Sequence, residues 1–214
     1  MIVSALNILR HKGVGGLLSA TYYLAKVNIF SQIFGHRYLK KRIHGSSMYL
    51  DAKDRGISRT LLLFGRREEE HKIILEKVLR PGMTVLDIGA NIGYYALLEA
   101  RCIGSSGRLV AVEPSPQNLG LLERNLRLNG CDQVEVFHGA ISDSSGTREL
   151  IISPFSNLHS FHGDRDSDGD TIEVVTMTVP EVMGLTKSLD FIRMDVEGHE
   201  VEVLNGMLDA VEGG

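Results

Sequence analysis

Residues 85–93 read V-L-D-I-G-A-N-I-G, and twenty positions past Gly93 a second apolar run, 109–112, ends in Glu113. An apolar strand, a glycine turn, a helix, another apolar strand and a carboxylate, in that order and spacing, describe how a parallel α/β sheet holds a nucleoside-bearing ligand. The run 84–87 has the continuous apolar character of a strand buried on both faces, and Pro81-Gly82 marks a turn before it. Gly89 and Gly93 bracket the entry into a helix predicted over about 92–102. Lacking Cβ atoms, they can take unusual dihedrals and let a ligand approach the backbone. The helix N-terminus behind them presents unpaired N–H groups and the positive end of a dipole, which favours an anion. Glu113 stands where its carboxylate can accept hydrogen bonds from both hydroxyls of a ribose.

Two nucleoside cofactors fit this frame, a nicotinamide or flavin dinucleotide and S-adenosylmethionine. A dinucleotide site wants G-x-G-x-x-G, so that the backbone cradles a pyrophosphate. Here the central glycine is replaced by Asn91 and the spacing is G-x-x-x-G. An acid at Asp87 would repel a pyrophosphate, yet it suits the ammonium of a methionine moiety whose carboxylate lies at the helix N-terminus. The electrostatics favour S-adenosylmethionine. The bland alternative is that Gly89 and Gly93 only permit close packing and Asp87 only caps the turn.

Four stretches also carry a family resemblance: D-I-G-A-N-I-G-Y-Y from Asp87, A-V-E-P-S-P from Ala111, R-N-L-R-L-N from Arg124, and L-D-F-I-R-M-D-V-E-G-H-E-V-E-V-L-N-G from Leu189. Together they resemble the FkbM family of S-adenosylmethionine-dependent methyltransferases, the last stretch most specifically. The resemblance covers roughly residues 48–207. It implies a class I methyltransferase fold, and methylation of a hydroxyl on a sugar or polyketide-like acceptor. It adds Ala90, Tyr94 and Pro114 to Asp87, Gly89, Asn91, Gly93 and Glu113 as cofactor contacts. It also implies that residues 138–141 line the adenine, with Ala140 and Ile141 against the ring. His199 stands where the family often has a small residue.

The remaining pattern suits a doubly wound, Rossmann-like, mostly parallel sheet. Residues 48–60 have strand-like pieces. Residues 66–79 read as a helix with Ile73, Ile74 and Val78 facing inward and Glu68, Glu69 and Glu70 solvated in its first turn. Ser115 caps the next helix, with Pro116 at its first position and Leu119, Leu122 and Leu126 as its buried stripe, until Gly130 stops it. Strands are predicted at 134–137, 149–152, 172–176 and 189–194, and a helix at 199–208. The expected domains are a basic helical segment at 1–50, lead-in elements at 51–80, and the cofactor-binding domain at 81–214. A class I sheet continues for about three more strands, so the domain is expected to be C-terminally incomplete, or completed by a partner along the open edge of the 190–194 strand.

In this order the Asp87 strand lies beside the Asp195 strand, and a cofactor crosses their C-terminal ends. Methyl transfer from a sulfonium is an in-line displacement, so the protein aligns the reactants and removes a hydroxyl proton. Asp195, Glu197 and His199 leave that strand and are the candidate bases. Asp195 comes first by position and resemblance, and Glu197 second. His199 titrates in the useful range but sits one step into the helix. Acids at a helix start are favoured by the dipole in any case, which is the structural reading of Glu197 and Glu200.

The net charge of −4 hides an asymmetry. Residues 1–50 contain no acid and seven bases: Arg10, Lys12, Lys26, Arg37, Lys40, Lys41 and Arg42. Leu17, Leu18, Tyr22, Ala25, Ile29 and Ile33 recur near helical period, but Lys26, Asn28 and Gln32 make the stretch too polar to span a bilayer. Three readings remain for it: a helix on an anionic membrane surface with a basic 36–44 cluster, a targeting peptide, and a helix packed on the catalytic domain. Two cysteines, Cys102 and Cys131, make neither a disulfide framework nor a ligand cluster, so a reducing, cytoplasmic setting is expected.

Residues 164–169 open like a calcium loop, but position twelve is Val175, and no metal is expected. His159 and His162 make at most half a metal site. Their loop, 154–163, is expected to cover the acceptor pocket. No nucleic-acid partner is expected. The leading expectation is O-methylation of a saccharide, glycolipid or polyketide-like acceptor. A non-catalytic S-adenosylmethionine-binding module comes second, and a dinucleotide-dependent oxidoreductase third.

Overall fold

A computed structural model describes residues 15, 18, 21, 25, 37–153, 156, 159–161, 170–184 and 189–212. The chain divides into two units, Met1–Arg67 and Glu68–Gly214.

In the first unit, β1 (Tyr38–Ile43) and β2 (Ser46–Asp51) form an antiparallel hairpin in which Tyr38 faces Asp51 and Ile43 faces Ser46. Its two-residue loop, His44-Gly45, has φ of 47° and 89°, the double positive φ of a type I′ turn that matches strand twist. Residues 38–50 are therefore strand rather than helix. Helix α1 (Ile57–Phe64) follows where the sequence suggested strand pieces, and Gly65 in the left-handed region ends it. The predicted basic cluster is partly consumed inside this unit. Arg37 pairs with Asp51 at 2.7 Å, and Lys41 Nζ donates to the carbonyls of Leu61 and Leu62 in the last turn of α1. Gly15, Leu18, Thr21 and Ala25 are helical, and the rest of the predicted N-terminal stripe lies outside the described residues. Among the described residues no helix is long and apolar enough to cross a membrane.

The second unit starts with α2 (Glu69–Val78). Its register differs from the expectation: Leu75 is the buried side chain, and Ile73, Ile74 and Val78 are 48%, 53% and 43% exposed. Then come β3 (Thr84–Ile88), α3 (Tyr94–Ile103), β4 (Arg108–Glu113), α4 (Pro116–Leu128) and β5 (Glu135–His138). A small sheet follows, made of β6 (Ala140–Ile141), β7 (Gly146–Ile151) and β8 (Thr171–Met177). The chain continues through α5 (Val179–Met183), β9 (Phe191–Met194) and α6 (Glu200–Glu212). The main sheet has the order β5-β4-β3-β9 with every pair parallel, the Rossmann-like arrangement of a class I methyltransferase.

Period-two alternation divides this sheet into two faces. Leu86, Ile88, Val110 and Val112 form one face and pack with Ile141, Val179, Met183 and Val203 of the small sheet and α5–α6. The other face turns Val85, Asp87, Leu109 and Ala111 towards α3 and α4, and Arg193 joins it through its register with Asp87. In α4, Leu122 and Leu126 of the predicted stripe are buried, Leu119 is only half-buried, and Asn118, Leu121 and Asn125 join the inside face. Ser115 occupies the N-cap without a side-chain capping bond.

Candidate functional site

Between β3 and α3 the chain makes a tight turn fixed from three sides. The N–H groups of Gly89 and Ala90 both donate to the Val112 carbonyl, at 3.0 and 2.9 Å. Gly89 has φ +82°, and a Cβ there would press into the carbonyl oxygen of Asp195. Gly93, at φ +87°, caps α3, and its Cβ would lie 2.9 Å from Leu122 Cδ1. Packing and backbone conformation thus require glycine at both positions. The packing at Gly89 also sets the turn directly against the exit of β9. From α4, the wholly buried Asn125 donates to the Ile92 carbonyl at 2.8 Å.

Glu113 ends β4 and is 3% exposed. Its Oε2 accepts from the Asn91 N–H at 2.8 Å, and its Oε1 from the Ser115 N–H at 2.9 Å and Asn118 Nδ2 at 3.3 Å. Burial outweighs these donors and pushes its pKa up to about 7. Asn91 holds φ +52°, and its Oδ1 accepts from the Ile92 N–H. The Nδ2 groups of Asn91 and Asn118 converge on one oxygen, the Ser156 carbonyl, at 2.6 and 2.9 Å.

Asp87 has no exposed surface. Its Oδ1 accepts from Arg193 Nη1 at 2.9 Å, and Oδ2 has no hydrogen-bond partner among the described residues. The second arm of the same guanidinium, Nη2, donates to Asp195 Oδ2 at 3.0 Å. The Arg193 guanidinium lies 4.0 Å from the centre of the Tyr95 ring. On α3, Glu99 is equally buried, and neither of its oxygens has a hydrogen-bond partner among the described residues. Burial raises the pKa of Glu99 and of Asp87; the charge of Asp87 raises Glu99 further, and the Arg193 guanidinium opposes the rise in both. Burial works against the charge of Arg193, but Asp87, Glu99 and Asp195 together hold its pKa above the ordinary value. Asp87 was expected to face a cofactor ammonium. Its charge is instead already met by Arg193, and it is closed to solvent.

Of the three candidate bases, Asp195 has 44% of its side chain exposed. Glu197 is exposed in a turn at φ +48°, and its carbonyl accepts from Ser160 Oγ at 3.3 Å. His199 is 1% exposed, with Nε2 3.1 Å from Ser142 Oγ, Nδ1 3.6 Å from Glu202 Oε2, and its ring 4.6 Å from that of Phe161.

The other expected contacts divide similarly. Ala90 and Tyr94 are buried at the turn, Tyr94 edge-on to Tyr95, and Pro114 is half-buried beside Glu113. Ala140 and Ile141 are buried, and Ile141 belongs to the core cluster rather than to an open adenine surface. The calcium-like stretch 164–169 and His162 lie outside the described residues, and His159 Nδ1 accepts from the Ser153 N–H at 3.0 Å. Among the described residues no group of His, Cys, Asp or Glu is placed to hold a metal.

Sequence reasoning missed Arg193, Glu99, Asn118 and Asn125. The available signal was a polar residue inside an apolar stripe, since such a residue is costly unless bonded to something.

Residues 87–213, more than half of the chain, match the family described as Methyltransferase FkbM domain. A ribosomal protein L11 methyltransferase of Thermotoga maritima is 35% identical over 79 residues, covering 37% of this chain and 29% of that protein. The hexuronic acid methyltransferase AglP of Haloferax volcanii is 30% identical over 127 residues, covering 59% of this chain and 50% of that protein. The chain thus spans half or less of the length of these relatives. The solved FkbM methyltransferase of Methylobacillus flagellatus superposes with a TM-score of 0.44 at 17% identity, covering 73% of this chain and 41% of that one.

Proposed function

The chain belongs to the FkbM methyltransferase domain family, and from that premise we propose that it methylates a hydroxyl of a saccharide, glycolipid or polyketide-like acceptor, with Asp195 as the proton-accepting base. The methyl donor of the family, S-adenosylmethionine, supplies an electrophilic methyl on a sulfonium. The residues present fit such a nucleoside. Glu113 provides a buried carboxylate at the end of β4, flanked by two carboxamide donors, which is the chemistry a ribose diol needs.

The observation that carries the reading is the junction of Gly89 with Asp195. It brings the backbone of Asp195, an acid with 44% of its side chain exposed, against the turn that precedes Asn91 and Glu113, which supports the reading. When bound, S-adenosylmethionine would supply the methyl, and the Asp195 carboxylate would accept the proton of the acceptor hydroxyl. Arg193 keeps that carboxylate aimed, and Asp87 keeps Arg193 in place. Glu197 is the second choice of base, and the burial of His199 removes it from that role.

The saccharide reading draws on AglP, named for hexuronic acid, and the L11 methyltransferase makes a protein acceptor the competing outcome. Calorimetry with S-adenosylmethionine, its demethylated product and NAD tests the cofactor. Transfer of labelled methyl to uronic-acid saccharides, compared between the unaltered protein and Asp195→Asn, tests the reaction. Cofactor binding without transfer to any acceptor would favour a binding module. Binding of NAD instead would reject the proposal.

A further inference from the structure

Asn118 is a carboxamide at 4% exposure in the first turn of α4, where neighbouring buried positions are leucines. A polar group there is costly unless bonded, and both bonds from its Nδ2 go to oxygens at one spot, Glu113 Oε1 and the Ser156 carbonyl. Asn91, from a different element, sends its Nδ2 to the same carbonyl oxygen. The result is a small box with two amide donors converging on one oxygen beside a carboxylate. A carbonyl oxygen can only accept, so it satisfies the amides and offers nothing to Glu113. A hydroxyl in its place would accept from the amides and also donate to the carboxylate.

We propose that Asn118, with Asn91, reads the ribose diol of the cofactor beside Glu113, a hydroxyl oxygen taking the position that the Ser156 carbonyl now fills. This rests on the S-adenosylmethionine reading above and adds to it a residue that discriminates ribose from deoxyribose. The bond from Asn118 to Glu113 is long, at 3.3 Å, and passes readily to a ligand oxygen. Glu113 then keeps its two backbone donors and has lone pairs left for the diol.

The test is calorimetry on the full chain with S-adenosylhomocysteine and its 2′-deoxy and 3′-deoxy forms, in the unaltered protein, Asn118→Ala and Asn118→Ser. The unaltered protein is expected to prefer the ribose form over at least one deoxy form by roughly tenfold or more. In the Asn118 variants that preference should fall to about twofold, with little change in affinity for that deoxy form. An unchanged preference in a folded variant, even with weaker binding overall, would overturn the inference and leave Asn118 a packing residue. Equal binding of all three ligands by the unaltered protein would overturn it alone and needs no variant. No binding of any of them would overturn the cofactor reading as well.

Discussion

Replacing Gly89 with alanine tests whether the turn and the exit of β9 are locked together. At φ +82° a residue with a Cβ costs about 1–2 kcal/mol in backbone sterics. The added methyl also meets the Asp195 carbonyl oxygen, and overpacking of this kind costs about 1–3 kcal/mol. Relief is blocked on both sides. The Gly89 and Ala90 N–H groups are tied to Val112, and the Asp195 N–H is tied to the Ile88 carbonyl at 3.0 Å. Reduced freedom of the unfolded chain returns about 0.4–1 kcal/mol, so a net loss of about 2–4 kcal/mol is expected. For a chain of this size that lowers Tm by about 5–15 °C. Gly120 provides the control, since it lies inside α4 with nothing within 4 Å of its Cβ position and φ outside the left-handed range. Gly120→Ala should therefore gain about 0.5–1 kcal/mol. The assay is thermal unfolding by circular dichroism, followed by S-adenosylhomocysteine binding on each folded variant. A Gly89→Ala melt within about 2 °C of the unaltered protein, or an equal fall in Gly120→Ala, would refute the argument.

Stability of the ligand-free protein should fall between pH 5 and 8. The folded pKa of Glu113, about 7, lies above its ordinary 4.5, so its protonated form is favoured by folding, and that stability is lost as pH rises towards 7. The loss is about 3 kcal/mol at full ionisation, and Asp87 and Glu99 are raised in the same direction; equal urea midpoints at the two pH values would contradict this. Ligand binding by the ionised carboxylate should correspondingly tighten from pH 6 to 8 with proton release, read by calorimetry in buffers of different ionisation enthalpy. Arg193→Met leaves Asp87 buried without its partner and should cost about 3–5 kcal/mol, much of it recovered by adding Asp87→Asn, so additive losses in the double variant would count against the pair. Asp195→Asn removes an exposed partner and should change stability by less than about 1 kcal/mol, while methyl transfer falls by about a hundredfold or more; undiminished transfer would exclude Asp195 as the base.

Several elements were legible before any coordinates. The two apolar runs around the glycine turn became the central parallel pair β3–β4, and Glu113 ended β4 where the spacing put it. The pairing of the Asp87 strand with the strand leading to Asp195 also followed from element order. Which face an amphipathic helix buries was less legible. In α2 the pattern I-I-L-E-K-V offered two apolar faces, and contact with the rest of the unit selected Leu75 over Ile73 and Ile74. His199 carries an imidazole, a side chain suited to proton transfer, but the sequence near it held no local sign that Ser142, 57 positions away, would engage its ring. Ile141 resembled a ring-packing residue and became part of the core because α5 and α6 close over that face of the sheet.

Taken alone, the order of residues determined the strand–turn–helix–strand unit, the carboxylate at its end and the family, because these depend on spacing, backbone permissiveness and apolar runs within a few tens of residues. Only the tertiary structure decided that Asp87 is neutralised by a guanidinium 106 positions away, that Gly89 yields its space to the Asp195 carbonyl, and that Asn91 and Asn118 meet at one oxygen. The reason is range. Propensity and periodicity act between neighbours in the chain, whereas the partner that satisfies a buried charge or amide is supplied by whichever distant element packs against it.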